Sequence, residues 1–235
     1  HRKPNVVILG ATPELADLAL EHQCAVYRVD NNPDMFAAAR PREIITERGN
    51  EIIIHSNWQD MNTLADGQID FVMGDASLNN VPVAQMQQVL NELNRITHPG
   101  SILSLKQIIL PDVAINDFTL ENALLSYRSG MLTDDAFYLI LRFYSFHHEA
   151  YDSAARILDA SIVFDAIYRE HENGRLSDKE YAIFAKRGSA LKHTVYRKTE
   201  QFNLFSEILG ETKLANIYAF SIIPLYNPAI IILSN

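Results

Sequence analysis

Val6-Val7-Ile8-Leu9-Gly10-Ala11-Thr12-Pro13-Glu14 is the stretch on which the reading of the chain turns. Val6 to Leu9 is an uninterrupted apolar run rich in β-branched residues and closed by Gly10, the pattern of a strand buried on both faces. Thr12 can cap a helix and Pro13 suits its first position, and Leu15, Leu18, Ala19 and His22 then follow at the spacing of one helical face. A buried strand that runs straight into a helix opens a βα unit, and the unit recurs. Ala25 to Val29 reads as a second strand ending at Asp30, followed by the Asn32-Pro33 cap pair before Met35 to Ala39. Glu51 to His55, Ile69 to Met73 and Ile102 to Leu105 read as three more strands, the last entered through Pro99-Gly100 after a helix over Val83 to Ile96. Repeated βα units build a parallel sheet with helices on both faces.

Beyond Pro111 the texture changes to the 3.6-residue period, and no strand-like run bounded by turn signals returns until about Ile217. Phe137, Ile140, Leu141 and Tyr144 share one helical face, and Ala154, Leu158 and Ile162 mark another that Asn173-Gly174 stops. Ser177-Asp178-Lys179-Glu180 is a capping box, with Leu176 and Tyr181 placed for a hydrophobic staple. Ile217 to Ile223 and Ala229 to Leu233 read as a closing antiparallel pair, with Pro224 to Pro228 as the turn between them. The expected organisation is therefore an α/β core over 1–111 and 201–235, interrupted by a helical insertion over 112–200.

Composition excludes several classes. A chain of 235 residues suits one larger α/β domain with an insertion, and 48% hydrophobic and 21% charged residues with nine Gly and nine Pro are the proportions of a globular chain. Asp and Glu number 29 against 20 Lys and Arg, a net charge of −9 that repels polyanions, so nucleic acid is not expected as a partner. The single Cys24 allows no internal disulfide and no secretory apolar region opens the chain, which fits a reducing cytoplasm. The longest apolar run, Ala136 to Leu141, falls far short of the ~20 residues of a membrane span, and no membrane partner is expected.

In an open parallel sheet ligands bind at the carboxyl ends of the strands, near the switch in strand order. Gly10 allows close backbone approach there and the next helix presents free N–H groups. A dinucleotide fingerprint would place further glycines where Thr12 and Leu15 stand, and Glu14 in the first helical turn opposes a pyrophosphate. A ligand without phosphate, with a nucleoside at one end and an amino acid at the other, needs neither glycine. Asp30, twenty positions after Gly10, can meet a ribose diol with its two carboxylate oxygens, or can serve as a plain turn residue before Asn31-Asn32-Pro33.

These residues resemble the class I S-adenosylmethionine-dependent methyltransferases, whose fold is a three-layer Rossmann-like sandwich with a mostly parallel sheet and an antiparallel last strand. The resemblance rests on Val6 to Gly10 before a helix, on Val29-Asp30-Asn31-Asn32-Pro33-Asp34-Met35, and on Ile69-Asp70-Phe71-Val72-Met73-Gly74-Asp75. Asn94-Arg95-Ile96-Thr97-His98-Pro99-Gly100 is similar to the family's turn before the fifth strand, so the likeness spans roughly Val6 to Leu110. It implies that Gly10, Ala11 and Thr12 line the methionine part of S-adenosylmethionine, that Asp30 holds the ribose, and that Asn31 and Met35 lie near the adenine. Asn57 and Trp58 would meet the adenine edge, while Asp75, Ala76 and Ser77 would sit by the cofactor's ammonium and the transfer site, with Asp75 as the candidate catalytic residue. The chain departs from the family at Ile8, where an acid is usual, at Thr12 and Glu14, where glycines are, and at Asn57, which replaces an acid.

The implied activity is methyl transfer to a small-molecule or protein acceptor. The alternative is a non-catalytic binding module that keeps the fold and holds the cofactor as a regulatory ligand. A nicotinamide-dependent oxidoreductase is a further alternative, opposed by Glu14 and the missing glycines. Asp75-Ala76-Ser77-Leu78 lacks the Asn/Asp-Pro-Pro-aromatic tetrad of enzymes that methylate planar amino groups on nucleobases or glutamine. The insertion falls where the family places a lid over the transfer site, and its aromatics Tyr127, Phe137, Tyr138, Phe143, Tyr144, Phe146, Tyr151, Phe164 and Tyr168 are expected mostly in its core, with a few left to wall an acceptor pocket. Adjacent side chains on a helix diverge by about 100°, so His147-His148-Glu149 is not a metal site, and no metal is expected. His55 and His98 read as structural or surface histidines.

Overall fold

β1 (Asn5–Leu9) is an interior strand of a seven-stranded sheet, flanked by β2 (Ala25–Asp30) and β4 (Ile69–Asp75) in parallel register. The computed structural model describes residues 2–110, 118–186, 191–209, 216–219 and 229–234, the last two stretches as main chain. Its strand order is β3-β2-β1-β4-β5-β10-β9, with β3 at Glu51–His55, β5 at Thr97–Lys106, β9 at Asn216–Ala219 and β10 at Ala229–Ser234. β1 to β5 are mutually parallel, and β10 enters antiparallel between β5 and β9. The order reverses on either side of β1 and β4, which puts the switch point at their carboxyl ends.

The sheet forms because β1 is apolar on both faces. Val6 and Ile8 pack with Ala16, Ala19, Cys24 and Val26 on the side of α1 (Pro13–Glu21), and Val7 and Leu9, which alternate to the other face, are fully buried as well. The expected face of α1 is wrong in detail: Leu18 and His22 are exposed, and Pro13, Ala16, Asp17 and Ala19 are buried. Small residues bring the helix close to the sheet, and Asp17 tolerates burial because Arg48 Nη1 lies 2.6 Å from its carboxylate. α2 (Pro33–Ala39) starts on the expected cap, with Asn32 Oδ1 accepting the Asp34 N–H at 3.0 Å, and α3 (Val83–Ile96) has its expected bounds.

The chain divides into two compact units. One holds the described residues of 1–107, 200–220 and 229–235, and the other those of 108–199 and 221–228. The second contains α4 (Leu120–Arg128), α5 (Asp134–Ile140), a π-helical turn over Leu141–Ser145, α6 (His147–Ala150), α7 (Ala160–Glu172) and α8 (Asp178–Ala185). It also holds a three-stranded antiparallel sheet of β6 (Tyr151–Asp152), β7 (Ile157–Asp159) and β8 (Lys192–Thr194), which the helical reading of this stretch overlooked. Ala154, Leu158 and Ile162 therefore share no helix face: Leu158 is a fully buried strand residue, and α7 buries Ala160, Val163, Ala166 and Ile167 instead. The stop at Asn173-Gly174 and the reciprocal Ser177–Glu180 capping box are present. α9 (Lys198–Leu209) runs from the second unit into the first. The Pro224 to Pro228 spacer lies outside the described residues.

Candidate functional site

Three of the expected site residues meet at the carboxyl ends of β1 and β2. Gly10 has φ +102°, a left-handed conformation that a side chain resists, and a Cβ placed there would stand 3.8 Å from Asp30 Oδ2 and 3.9 Å from the Trp58 ring. The carbonyl of Val29 fixes this corner by accepting the Gly10 N–H at 2.8 Å and the Trp58 Nε1–H at 2.7 Å. Asp30 divides its carboxylate: Oδ1 accepts the Asn32 N–H at 2.9 Å, and Oδ2 faces Gly10. The turn therefore occupies one oxygen of this residue and leaves the other turned to Gly10. Asn31 Nδ2 donates to Asn57 Oδ1 at 2.7 Å and so ties the loop after β2 to the loop after β3. Met35 is exposed on α2.

The first loop continues through Ala11, buried, to Thr12, which occupies the N-cap position of α1 without a side-chain capping bond. Glu14 is exposed and lies 3.5 Å from Arg42, so its charge faces a cation. Beneath this loop lies a charged cluster that sequence reasoning missed. Arg28 is fully buried, and its guanidinium donates to the Ala11 carbonyl at 2.8 Å and to Glu43 at 2.7 Å, stacks over Phe36 at 5.2 Å, and lies 3.2 Å from Glu51. Arg48 grips both oxygens of Glu51, at 2.7 and 2.9 Å. Burial raises the Glu51 carboxyl, but the hydrogen bonds from Arg48 and the charge of Arg28 outweigh it and hold the group below its ordinary range. The available signal was one arginine inside an otherwise buried strand, Ala25-Val26-Tyr27-Arg28-Val29, since a charge in that position requires partners.

At the end of β4 the expected residues take different roles. Ser77 is buried, and its hydroxyl donates to the Leu9 carbonyl at 2.6 Å, locking β4 to β1. Ala76 adopts the left-handed conformation with φ 53°. Asp75 is exposed and one of its oxygens lies 2.8 Å from Lys106 Nζ, its register partner on β5. A methyl group at Gly74 would fall 2.9 Å from Ser77 Oγ and 3.1 Å from Leu105. Gly74→Ala should therefore destabilise the protein by about 1 to 3 kcal/mol, the usual cost of overpacking, in urea denaturation; an unchanged midpoint would show that Ser77 moves freely.

The other singled-out histidines have partners. His55 packs edge-on to Phe36 at 5.4 Å, and His98 Nε2 lies 3.1 Å from Asp70 at the opposite end of the sheet from the site. The hydrogen bond to the Pro99 carbonyl and then the one to Asp70 raise the His98 pKa. In the helical unit Phe137, Phe143 and Phe146 are buried in the core, with Tyr127, Tyr138, Tyr144, Tyr151 and Phe164 packed against it, while Tyr168 is exposed. Among the described residues no group of three or more His, Cys, Asp and Glu side chains is placed to hold a metal ion, and no helix is long and apolar enough to cross a membrane.

Residues 9–105 match the family described as a methyltransferase domain. A S-adenosylmethionine-dependent methyltransferase of Methanosarcina mazei shares the architecture with a TM-score of 0.52 and 14% identity, over all of this chain and 93% of the other. A methyltransferase of Bacillus halodurans does so with a TM-score of 0.52 and 12% identity, over 93% and 66%. A protein described as a zinc-dependent alcohol dehydrogenase of Rhodobacter sphaeroides gives a TM-score of 0.56 and 16% identity, over 99% and 84%. At such identities the likeness is one of fold, and no curated protein sequence matches the chain. Residues 9–105 are thus similar to a methyltransferase domain, and the fold is of the Rossmann-like kind that S-adenosylmethionine-dependent methyltransferases share.

Proposed function

We propose that the chain binds S-adenosylmethionine at the carboxyl ends of β1 and β2 and transfers its methyl group to a small-molecule or protein acceptor. The observation that carries this reading is the corner made by Gly10, Asp30 and Trp58 beside the switch in strand order. Its chemistry suits the cofactor: a carboxylate oxygen free of the turn can accept from a ribose hydroxyl, an indole edge walls the nucleoside, and a glycine leaves the space a Cβ would fill. Asn31 and Asn57, held to each other, present amide groups on the adenine side. When bound, the cofactor supplies an activated sulfonium methyl, so the protein has mainly to orient the reactants.

Asp75 would act near the transfer site with one oxygen retained by Lys106. That same pairing, with the inward hydroxyl of Ser77, favours the second reading, a module that binds the cofactor without turning it over. We assign acceptor selection to the helical insertion, as its place in the sequence after the fifth strand suggests, and the site of action to the cytoplasm on the evidence of the lone cysteine. The net charge of −9 disfavours nucleic acid as acceptor.

Calorimetric titration with S-adenosylmethionine, S-adenosylhomocysteine and, as control, NAD tests the binding step; heat from NAD alone would sink the reading. Labelled methyl donor with candidate acceptors then separates enzyme from module. Asp30→Ala should weaken S-adenosylhomocysteine binding by about 1.5 to 3 kcal/mol, the scale of a hydrogen bond to a charged group. An unaltered affinity would remove Asp30 from the site.

A further inference from the structure

Arg28 reaches the first loop from within the core. The Ala11–Thr12 peptide is trans, since the described residues contain no cis bond, and in a trans peptide the C=O and the N–H point in opposite directions. The Ala11 carbonyl is drawn inward by Arg28 at 2.8 Å. The Thr12 N–H, across the same peptide plane, is therefore aimed outward, away from the buried guanidinium. The guanidinium is itself immobilised by Glu43 at 2.7 Å and by the Phe36 ring beneath it. From this we infer that Arg28 is a positioning residue: it sets the plane of the Ala11–Thr12 peptide so that the Thr12 N–H meets the carboxylate of the amino-acid end of the cofactor. The loop lacks the glycines usual two and four positions after the first, and a side chain from β2 supplies the constraint that loop composition supplies elsewhere.

This inference rests on the cofactor reading above, and two ligands separate the two. S-adenosylhomocysteine carries the amino-acid carboxylate, whereas 5′-methylthioadenosine has the same nucleoside and thioether without it. Arg28→Lys keeps a buried cation for Glu43 but replaces the two nitrogens that serve Glu43 and the Ala11 carbonyl separately with a single one, so the peptide plane loses its rigid fork. Thr12→Pro removes the N–H itself and leaves Arg28 alone; Thr12 has φ −68°, which proline adopts, and its side chain makes no capping bond to lose. Calorimetry on both variants, with circular dichroism to verify folding, should show S-adenosylhomocysteine binding weakened about 10- to 100-fold and methylthioadenosine binding unchanged. Should Arg28→Lys fail to fold, Thr12→Pro decides alone. Equal losses for both ligands would mean that Arg28 only supports the fold, and an unchanged affinity for S-adenosylhomocysteine would mean that the peptide plane is not used; either overturns the inference while the cofactor reading stands. Wild-type protein that binds neither ligand would overturn both.

Discussion

Replacing Arg28 by methionine should lower the unfolding free energy by about 3 to 5 kcal/mol, the range found when one partner is removed from a buried ion pair. Methionine matches the length and apolar volume of the stem, so the loss comes from the groups left behind. Glu43 loses its 2.7 Å partner and, among the described residues, keeps the Arg48 cation at 3.8 Å, and the Ala11 carbonyl loses the Arg28 donor. Glu51 is better protected, because Arg48 holds both its oxygens, which places the expected loss toward the lower end of the range. Urea denaturation at neutral pH measures it. Adding Glu43→Gln should recover part of the loss, since the uncompensated charge leaves with it; a double variant no more stable than Arg28→Met would assign the cost to packing instead.

The same residue shows where the sequence was legible and where it was not. β1 to β5 announce themselves through apolar runs, and the caps at Asn32-Pro33 and Ser177 through short local patterns, so the succession of strands and the place of Gly10 and Asp30 at strand ends followed from neighbours a few residues apart. Arg28 finds its partners 15 and 23 residues later, and Asp17 is buried through Arg48, 31 residues away. No window of helical or strand period contains such pairs. Asp75 and Lys106 become neighbours only when β4 and β5 take their register, and Ser77 turns to Leu9 only when β4 lies beside β1. The small sheet of β6, β7 and β8 escaped notice because strands of two and three residues are too short to show alternation.

Acidification should destabilise the helical unit well above the range in which carboxylates titrate, and His193 is the cause. Its Nε2 accepts from the Arg142 guanidinium at 2.8 Å, so the ring is neutral, with its proton on Nδ1. Arg142 in turn lies over the rings of Tyr138, Phe143 and Phe164 at 5.5 to 5.9 Å. Burial, reinforced by the charge of Arg142, pushes the His193 pKa down from 6.5 to about 4. The sign follows from proton uptake: between pH 6.5 and about 4 the unfolded chain protonates this histidine and the folded chain does not, so its stabilising contribution is complete above pH 6.5 and is lost as the pH falls. At about 1.4 kcal/mol per pH unit the loss amounts to about 3 kcal/mol, most of it before Glu180 titrates. Glu180, held by Arg128 at 2.7 Å against the opposing effect of burial, has its carboxyl pushed down to about 2, and its contribution fades only as the pH falls from 4.5 toward that value. His193→Gln places an amide oxygen where Nε2 accepts and removes the titration. Its unfolding free energy should therefore fall less steeply than that of the wild type between pH 6.5 and 4.5, and the His193 ring resonances in the wild type should stay unprotonated across that interval. Parallel slopes for the two proteins, or a ring that titrates near 6.5, would show that water reaches the Arg142–His193 pair.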